Sequence, residues 1–375
     1  MSSALPPFRL ERYFAEYEFK VKYLLSASDC EGLKIRELLD LADDDSRQRW
    51  SALSLAYTES QGLPALREEV AGHYAPLNAD DVLIAAPEEC IYIAMRTILS
   101  PGDHVIAISP AYQSLHEVAR SVGCELTKWP VRLDGDRWSL DLDELKRAIQ
   151  PNTRLLIINF PHNPTGLLPS RETLGAILQI ADGHGLYVFS DEMYRWLEYD
   201  PQQCLPPVCS IYERGISLSG LSKSLALPGL RIGWLAARDR NLMLKWMTYK
   251  DYTTICNSAP SEVLALMALR AKDAIARRNL DIISANLSYA DEFFREFAAL
   301  FSWHRPSAGS IAFPRWTGAI AVEDFCRMVL DEHGVMIVPG SLFDVPGGFF
   351  RLGLGRKNFT QAIDLVRSDL GRYRR

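Results

Sequence analysis

From about residue 60 the chain alternates between two apolar rhythms. GLPALREEVAGHY (62–74) carries apolar positions at helical spacing, whereas DVLIAA (81–86) is the short continuous apolar run of a buried strand. The pattern then predicts a helix from Pro87 to about Leu99. Proline suits the first helical position, and Glu88 and Glu89 suit the positive end of the helix dipole. PGD (101–103) reads as a turn and HVIAIS (104–109) as the next strand. Asp141 with Glu144 gives a capping-box-like start to a helix over 142–149. LLIINF (155–160), LYVFSD (186–191), ISLSG (216–220) and LRIGWLA (230–236) are further short apolar strands. Continuous apolar strands separated by helices predict a mostly parallel sheet with both faces covered. After about residue 240 a long helical region runs to about 300. Strand-like SIAFPRW, a helix over 321–333 and strands around VMIVPG and FFRLGLG follow. The reading is an α/β fold: a large domain over 46–265 beside a small α+β domain built from 1–45 together with 266–375.

Composition adds exclusions. A chain of 375 residues is comfortable for two domains, and 48% hydrophobic with 23% charged residues is the balance of a globular protein with a large core. A net charge of −6, with no basic block, argues against a nucleic-acid partner, because phosphate binding needs clustered Lys and Arg. The terminal GRYRR reads as a short solvated tail. The opening MSSALPPFRL lacks the apolar core of a secretory signal, and no run of 18 apolar residues is present to span a membrane. Seven scattered cysteines fit no zinc or redox spacing and predict reduced thiols in a cytoplasmic protein.

In sheets of this kind, ligands sit beyond the carboxyl ends of the strands. After LLIINF comes PHNPTG, whose prolines and glycine force a rigid turn that presents Asn163. After LYVFS comes Asp191, a carboxylate that is costly at the end of a buried strand unless a cation or strong donor meets it; capping a following helix is the other use for it. After ISLSG come Ser222 and Lys223. A lysine ending a buried strand is unusual, and desolvation with nearby cations lowers its pKa as a Schiff-base amine requires. Arg231 returns beside it across a Pro-Gly turn, so Ser222, Lys223 and Arg231 together form an anion site with an amine at its edge. One cofactor satisfies all three strand ends, pyridoxal 5′-phosphate (PLP). Its phosphate needs hydroxyl and guanidinium donors and its aldehyde needs a lysine. Its ring nitrogen needs a carboxylate and its O3′ needs donors such as Asn163 and Tyr194.

NFPHNPTG, SDEMY and SGLSKSLALPGLRIGW resemble, in order and spacing, the signature segments of the class I/II aminotransferases, the fold type I PLP enzymes. The resemblance covers nearly the whole chain and implies that fold, with a seven-stranded-type sheet in the large domain. It implies that Lys223 holds the cofactor as a Schiff base and later acts as the proton-transfer base. Asp191 then pairs with the ring nitrogen, Tyr194 and Asn163 bind O3′, and Ser222 and Arg231 hold the phosphate. Tyr112 in SPAYQSL matches the residue stacked on the ring. Arg351 in FFRLGLG matches the arginine that clamps the substrate α-carboxylate, a task suited to its bidentate fork. Tyr57 matches the tyrosine that reaches a neighbouring subunit's phosphate, which implies a homodimer with shared sites. The substrates implied are an amino acid and a 2-oxo acid.

The chain departs from the family in three places. The phosphate cup opens with Ala86-Pro87-Glu88-Glu89 rather than glycine and small residues, so the amides of Glu88 and Glu89 are expected to face the phosphate with their side chains turned away. Three before Lys223, where relatives often carry a hydroxyl, stands Gly220; Ser219 beside it is the candidate substitute. The N-terminal substrate loop reads Ser26-Ala27-Ser28-Asp29-Cys30-Glu31. If Asp29 or Glu31 faces the pocket a basic substrate side chain is attracted; otherwise this is a solvated loop before a helix near 32–41. Transamination is the primary expectation, with PLP-dependent elimination or cyclisation as the alternative and a non-enzymatic sensor a distant third.

Overall fold

A computed structural model describes residues 5–370. The GRYRR tail (371–375) and the first four residues of the opening segment lie outside the described residues. A helix, Arg9–Tyr17, precedes a two-residue strand β1 (Tyr23–Leu24). The large sheet follows: β2 (Val82–Ala85), β3 (His104–Ser109), β4 (Glu125–Asp134), β5 (Arg137–Leu140), β6 (Thr153–Asn159), β7 (Tyr187–Asp191), β8 (Gly215–Gly220) and β9 (Gly233–Ala237). Their order is β2-β9-β8-β7-β6-β3-β4-β5. The centre, β8-β7-β6-β3-β4, is parallel, while β9 runs antiparallel between β2 and β8. The apolar runs of β8, β7, β6 and β3 are buried on both faces, as continuous hydrophobic strands require.

The expected seven-stranded-type sheet therefore has an eighth strand. β5 folds back antiparallel on β4 at Gly135, whose φ of 63° suits a residue without Cβ. Its sequence, RWSL, is partly exposed and lacks an apolar run, so it gives no strand signal of the kind the centre gives. The strand read from LRIGWLA begins late, at Gly233, because Pro228–Leu230 is a 3₁₀ turn and Arg231 adopts a left-handed φ of 57°.

The second half supplies β10 (Phe301–Ser302), β11 (Ile311–Ala312), β12 (Arg315–Trp316), β13 (Val335–Met336), β14 (Val338–Pro339) and β15 (Phe350–Gly353). β15 lies between β11 and β14, and β1 pairs in parallel with β13, so the chain's beginning is tied to its end. An aromatic core containing Phe293, Phe301, Trp316, Phe325 and Phe350 also takes in Tyr23, Leu25 and Cys30.

The alternative of a solvated loop at Ser26–Glu31 does not hold. Ser26, Ala27 and Cys30 are buried; Gly353 donates its N–H to the Leu25 carbonyl at 2.6 Å, and Glu31 donates its own to the Gly355 carbonyl at 2.8 Å. A Cβ at Gly353 would stand 2.1 Å from the Ala27 carbonyl oxygen, and one at Gly355 2.6 Å from the Cys30 Cα. The two glycines of RLGLG thus let the N-terminal loop lie directly on β15. Among the described residues, no helix is long and apolar enough to cross a membrane.

Candidate active site

The carboxyl ends of β6, β7 and β8 stand side by side, with Asn159 opposite Asp191 and Asp191 opposite Leu218. The turn after β6 is pinned from several directions. Asn159 accepts from the Asn163 N–H at 2.8 Å and donates its side-chain amide to the Asp191 carbonyl at 2.9 Å. His162, 1% exposed, donates from Nε2 to the Pro110 carbonyl and accepts at Nδ1 from the Thr165 hydroxyl, both at 2.7 Å. The ring is neutral in that arrangement, and burial pulls its pKa down to about 4. The PHNPTG turn is thereby fastened to the SPAY loop that carries Tyr112.

At the end of β7, Asp191 accepts the Met193 N–H at 3.1 Å. Burial pushes its pKa up to about 7, with Lys223 opposing the shift and Glu192 adding to it. Glu192 turns the other way, where it accepts from the Val208 N–H at 3.0 Å and the Ser217 hydroxyl at 2.7 Å. Beyond β8, Lys223 donates from Nζ to the Ser28 hydroxyl at 2.8 Å, and burial lowers its pKa.

These groups open onto one cavity of about 520 Å³. Of the sequence-predicted residues, Lys223, Asp191, Tyr194, Asn163, Ser222, Arg231, Glu88, Tyr112, Arg351 and Asp29 all line it. Two predicted residues, Ser219 and Tyr57, stand elsewhere, and the Glu89 side chain turns away as the reading of the helix start has it. Ser219 donates its hydroxyl to the Glu192 carbonyl at 3.2 Å and is fully buried in the sheet, so it does not replace the missing hydroxyl at Gly220. The Glu89 carboxylate accepts from the hydroxyls of Thr253 and Thr254. Tyr57 is 90% exposed, away from the cavity of its own chain. Glu88 is the reverse of the expectation: its side chain faces the cleft. Crowding by surrounding protein, with Glu11 and Asp191 adding charge, pushes its pKa up to about 7 against the Ser114 hydroxyl and Arg231, which oppose the shift.

Gly220 has a packing reason. A Cβ there would lie 2.9 Å from the Gly233 Cα and 3.3 Å from the Pro87 ring; a Cβ at Gly233 would lie 2.7 Å from the Ser219 carbonyl oxygen and 2.9 Å from the same ring. Two departures from the family pattern, Pro87 and Gly220, are therefore one feature: the proline ring occupies the space a side chain would need. The helix Pro87–Ile98 starts at Ala86 with no side-chain cap, which leaves amides at its first turn for a ligand.

The far wall was missed by the sequence reading. Glu11, Phe14 and Glu18, spaced i, i+3, i+7 along the helix Arg9–Tyr17 and its C-cap, all line the cavity. Tyr112 donates its hydroxyl to Glu11 at 2.7 Å. Amphipathic spacing in RLERYFAEYE was the available signal. Arg351, 1% exposed, donates to the Asn163 side-chain oxygen at 3.3 Å and the Ser26 carbonyl at 2.7 Å, with its guanidinium near the Phe14 and Phe343 rings. Asp29 pairs with Arg356 at 3.0 Å.

The residues present fit the expected cofactor. The Tyr194 hydroxyl is buried in the cavity wall with Ser28 beside it and meets no group at full hydrogen-bond geometry among the described residues, which leaves it open to an acceptor from a ligand. Asp191 is a buried carboxylate in need of a cation, and Arg231, Ser222 and a bare helix start offer donors to a phosphate.

Comparison with known proteins agrees. The family model described as aminotransferase class I and II matches residues 22–364. Capreomycidine synthase of Streptomyces vinaceus is 30% identical, covering 99% of this chain and 96% of its own. A crystal structure of a PLP-dependent aminotransferase from Streptococcus suis superposes with a TM-score of 0.92 at 30% identity, covering 99% of both chains. The PLP-dependent cyclase OrfR superposes at 0.89 with 27% identity over 98% of both. With the signature segments gathered at one cavity, the chain belongs to the class I and II aminotransferases and its cofactor is pyridoxal 5′-phosphate.

Proposed function

We propose that the chain moves an amino group between an α-amino acid and a 2-oxo acid, with Lys223 as the cofactor's Schiff-base lysine. The observation that carries the reading is the opening of Lys223, Asp191, Tyr194, Asn163 and Arg351 onto one cavity. When bound, the cofactor supplies an electron sink that stabilises negative charge at the substrate Cα. Asp191 keeps the ring nitrogen protonated. Tyr194 and Asn163 would hold O3′, and Tyr112 would lie against the ring. Ser222, Arg231 and the free amides of Glu88 and Glu89 hold the phosphate. Arg351, already desolvated, takes the α-carboxylate and fixes which bond to Cα is labilised. The Lys223 amine, once released, would take the proton from Cα, and the burial that lowers its pKa favours the neutral form a base needs.

The same reading includes a large domain over 46–265 and a small one from 1–45 with 266–375. It includes a homodimer in which Tyr57 reaches the partner's phosphate, and a cytoplasmic setting that keeps the unpaired cysteines reduced.

A second reading is favoured by the names of two relatives that align end to end, a synthase and a cyclase. In it the same residues serve a PLP-dependent elimination or cyclisation. An amino-acid panel without any oxo acid separates the two: stoichiometric conversion to pyridoxamine phosphate supports transamination, and continuous ammonia release or a ring-closed product supports the other. A Lys223→Ala variant that kept the visible absorbance of the lysine-bound cofactor would sink both.

A further inference from the structure

Among the residues that line the cavity with Lys223 are three carboxylates from the N-terminal part of the chain, Glu11, Glu18 and Asp29. They come from two segments, one helix face and the buried loop against β15, so folding brings them together from separate places. Asp29 is paired with Arg356, and Glu11 accepts the Tyr112 hydroxyl. Glu18 has neither kind of partner among the described residues. Burial, then Asp29 and Glu11, raise its pKa, the response of a carboxylate crowded by its own sign. The local cations are committed elsewhere: Lys223 to the cofactor, Arg231 to phosphate, Arg351 to the α-carboxylate. In the same cavity the Nε of Arg351, 1% exposed, finds no partner among the described residues, as expected of a cavity built around a ligand. Phe14, between the two glutamates on the helix face, adds an aromatic surface of the kind cations favour.

We infer that the amino-acid substrate carries a cationic side chain, a guanidinium or an ammonium, received by Glu18, Glu11 and Asp29 while Arg351 holds its α-carboxylate. The inference rests on the amino-acid reading proposed above and names the substrate class of that site. A cation between these groups relieves their mutual repulsion, and a neutral isostere leaves a desolvated carboxylate unpaired.

The test titrates the holoenzyme with matched pairs, L-arginine against L-citrulline and L-lysine against L-norleucine, following the cofactor's visible spectrum for Kd and then kcat and KM. At least one cation is expected to bind tenfold or more tightly than its neutral counterpart, about 1.4 kcal/mol, and the pair that shows it tells guanidinium from ammonium. In Glu18→Gln, and more fully in Glu18→Gln with Glu11→Gln, that ratio is expected to fall towards one, with the change in KM rather than kcat. If the double variant loses its cofactor spectrum, the single variant carries the comparison. Both cations within twofold of their neutral partners, or a ratio untouched by Glu18→Gln, overturns the inference and leaves the amino-acid reading standing. A spectrum that no amino acid perturbs overturns both.

Discussion

Asp191 is held in the cavity wall at the expense of its own solvation. With its pKa raised to about 7, the folded chain binds a proton there that the unfolded chain has released near pH 4. Stability from this group is therefore greatest at low pH and is lost as pH rises through 7, by up to about 4 kcal/mol. Apo Asp191→Asn is expected to unfold at higher temperature than the apo wild type at pH 8 and to show no such gain near pH 4. Its cofactor affinity should drop tenfold or more, read from the visible spectrum. His162 has the opposite sign: its folded pKa of about 4 lies below the ordinary value, so its contribution is full above pH 6.5 and lost as pH falls towards 4. The shift is worth about 3 kcal/mol. Urea unfolding of wild type and His162→Gln at pH 7 and pH 4.5 should show the gap between them narrowing at the lower pH. At this scale the sequence was informative where chemistry and position coincided, as at Lys223, Asp191 and Asn163. It misled on which way Glu88 and Ser219 point, because one rotation about a helix start or one face of a strand decides that.

At the scale of elements, the close approach of β8, β9 and the Pro87 ring carries a defined penalty for any added atom. Gly233→Ala must displace either the Ser219 carbonyl or the proline, so a loss of about 1–3 kcal/mol in chemical denaturation is expected. Weaker cofactor retention should accompany it, since the same atoms set the helix start at the phosphate end. The central strands were legible because a parallel sheet buried on both faces demands unbroken apolar runs. The hairpin β4–β5 was not, because β4 (ELTKWPVRLD) and β5 are half-exposed and carry polar residues throughout. The helix Arg9–Tyr17 escaped for a related reason: its cavity face is Glu11, Phe14 and Glu18, which reads as polar until something is known of what it faces.

For the whole molecule, Leu55, Tyr57 and Tyr252 are 83%, 90% and 89% exposed, and large apolar groups this bare are costly to leave in water. Light scattering is expected to give twice the chain mass. Tyr57→Phe should weaken cofactor retention several-fold in equilibrium dialysis, and unchanged retention would remove Tyr57 from the phosphate site. The proposed two-domain outline rests on a change of rhythm near residue 240. What that change could not convey is the pairing of the two chain ends, because β1 and β13 are two-residue strands with no signal of their own.

That pairing bears on how the protein is made. Arg9 donates to the Ser341 carbonyl, 332 positions away, and Tyr23 registers against Val335. Closing such long loops comes late in folding. On a ribosome, the sheet that bears Lys223 and Asp191 emerges whole while the segment bearing Glu11, Glu18 and Asp29, though translated first, still waits for β13 and β15. The nascent chain is thus expected to hold the strand ends proposed for the cofactor before the wall proposed to choose a substrate is in place, which would make discrimination the last property the polypeptide acquires.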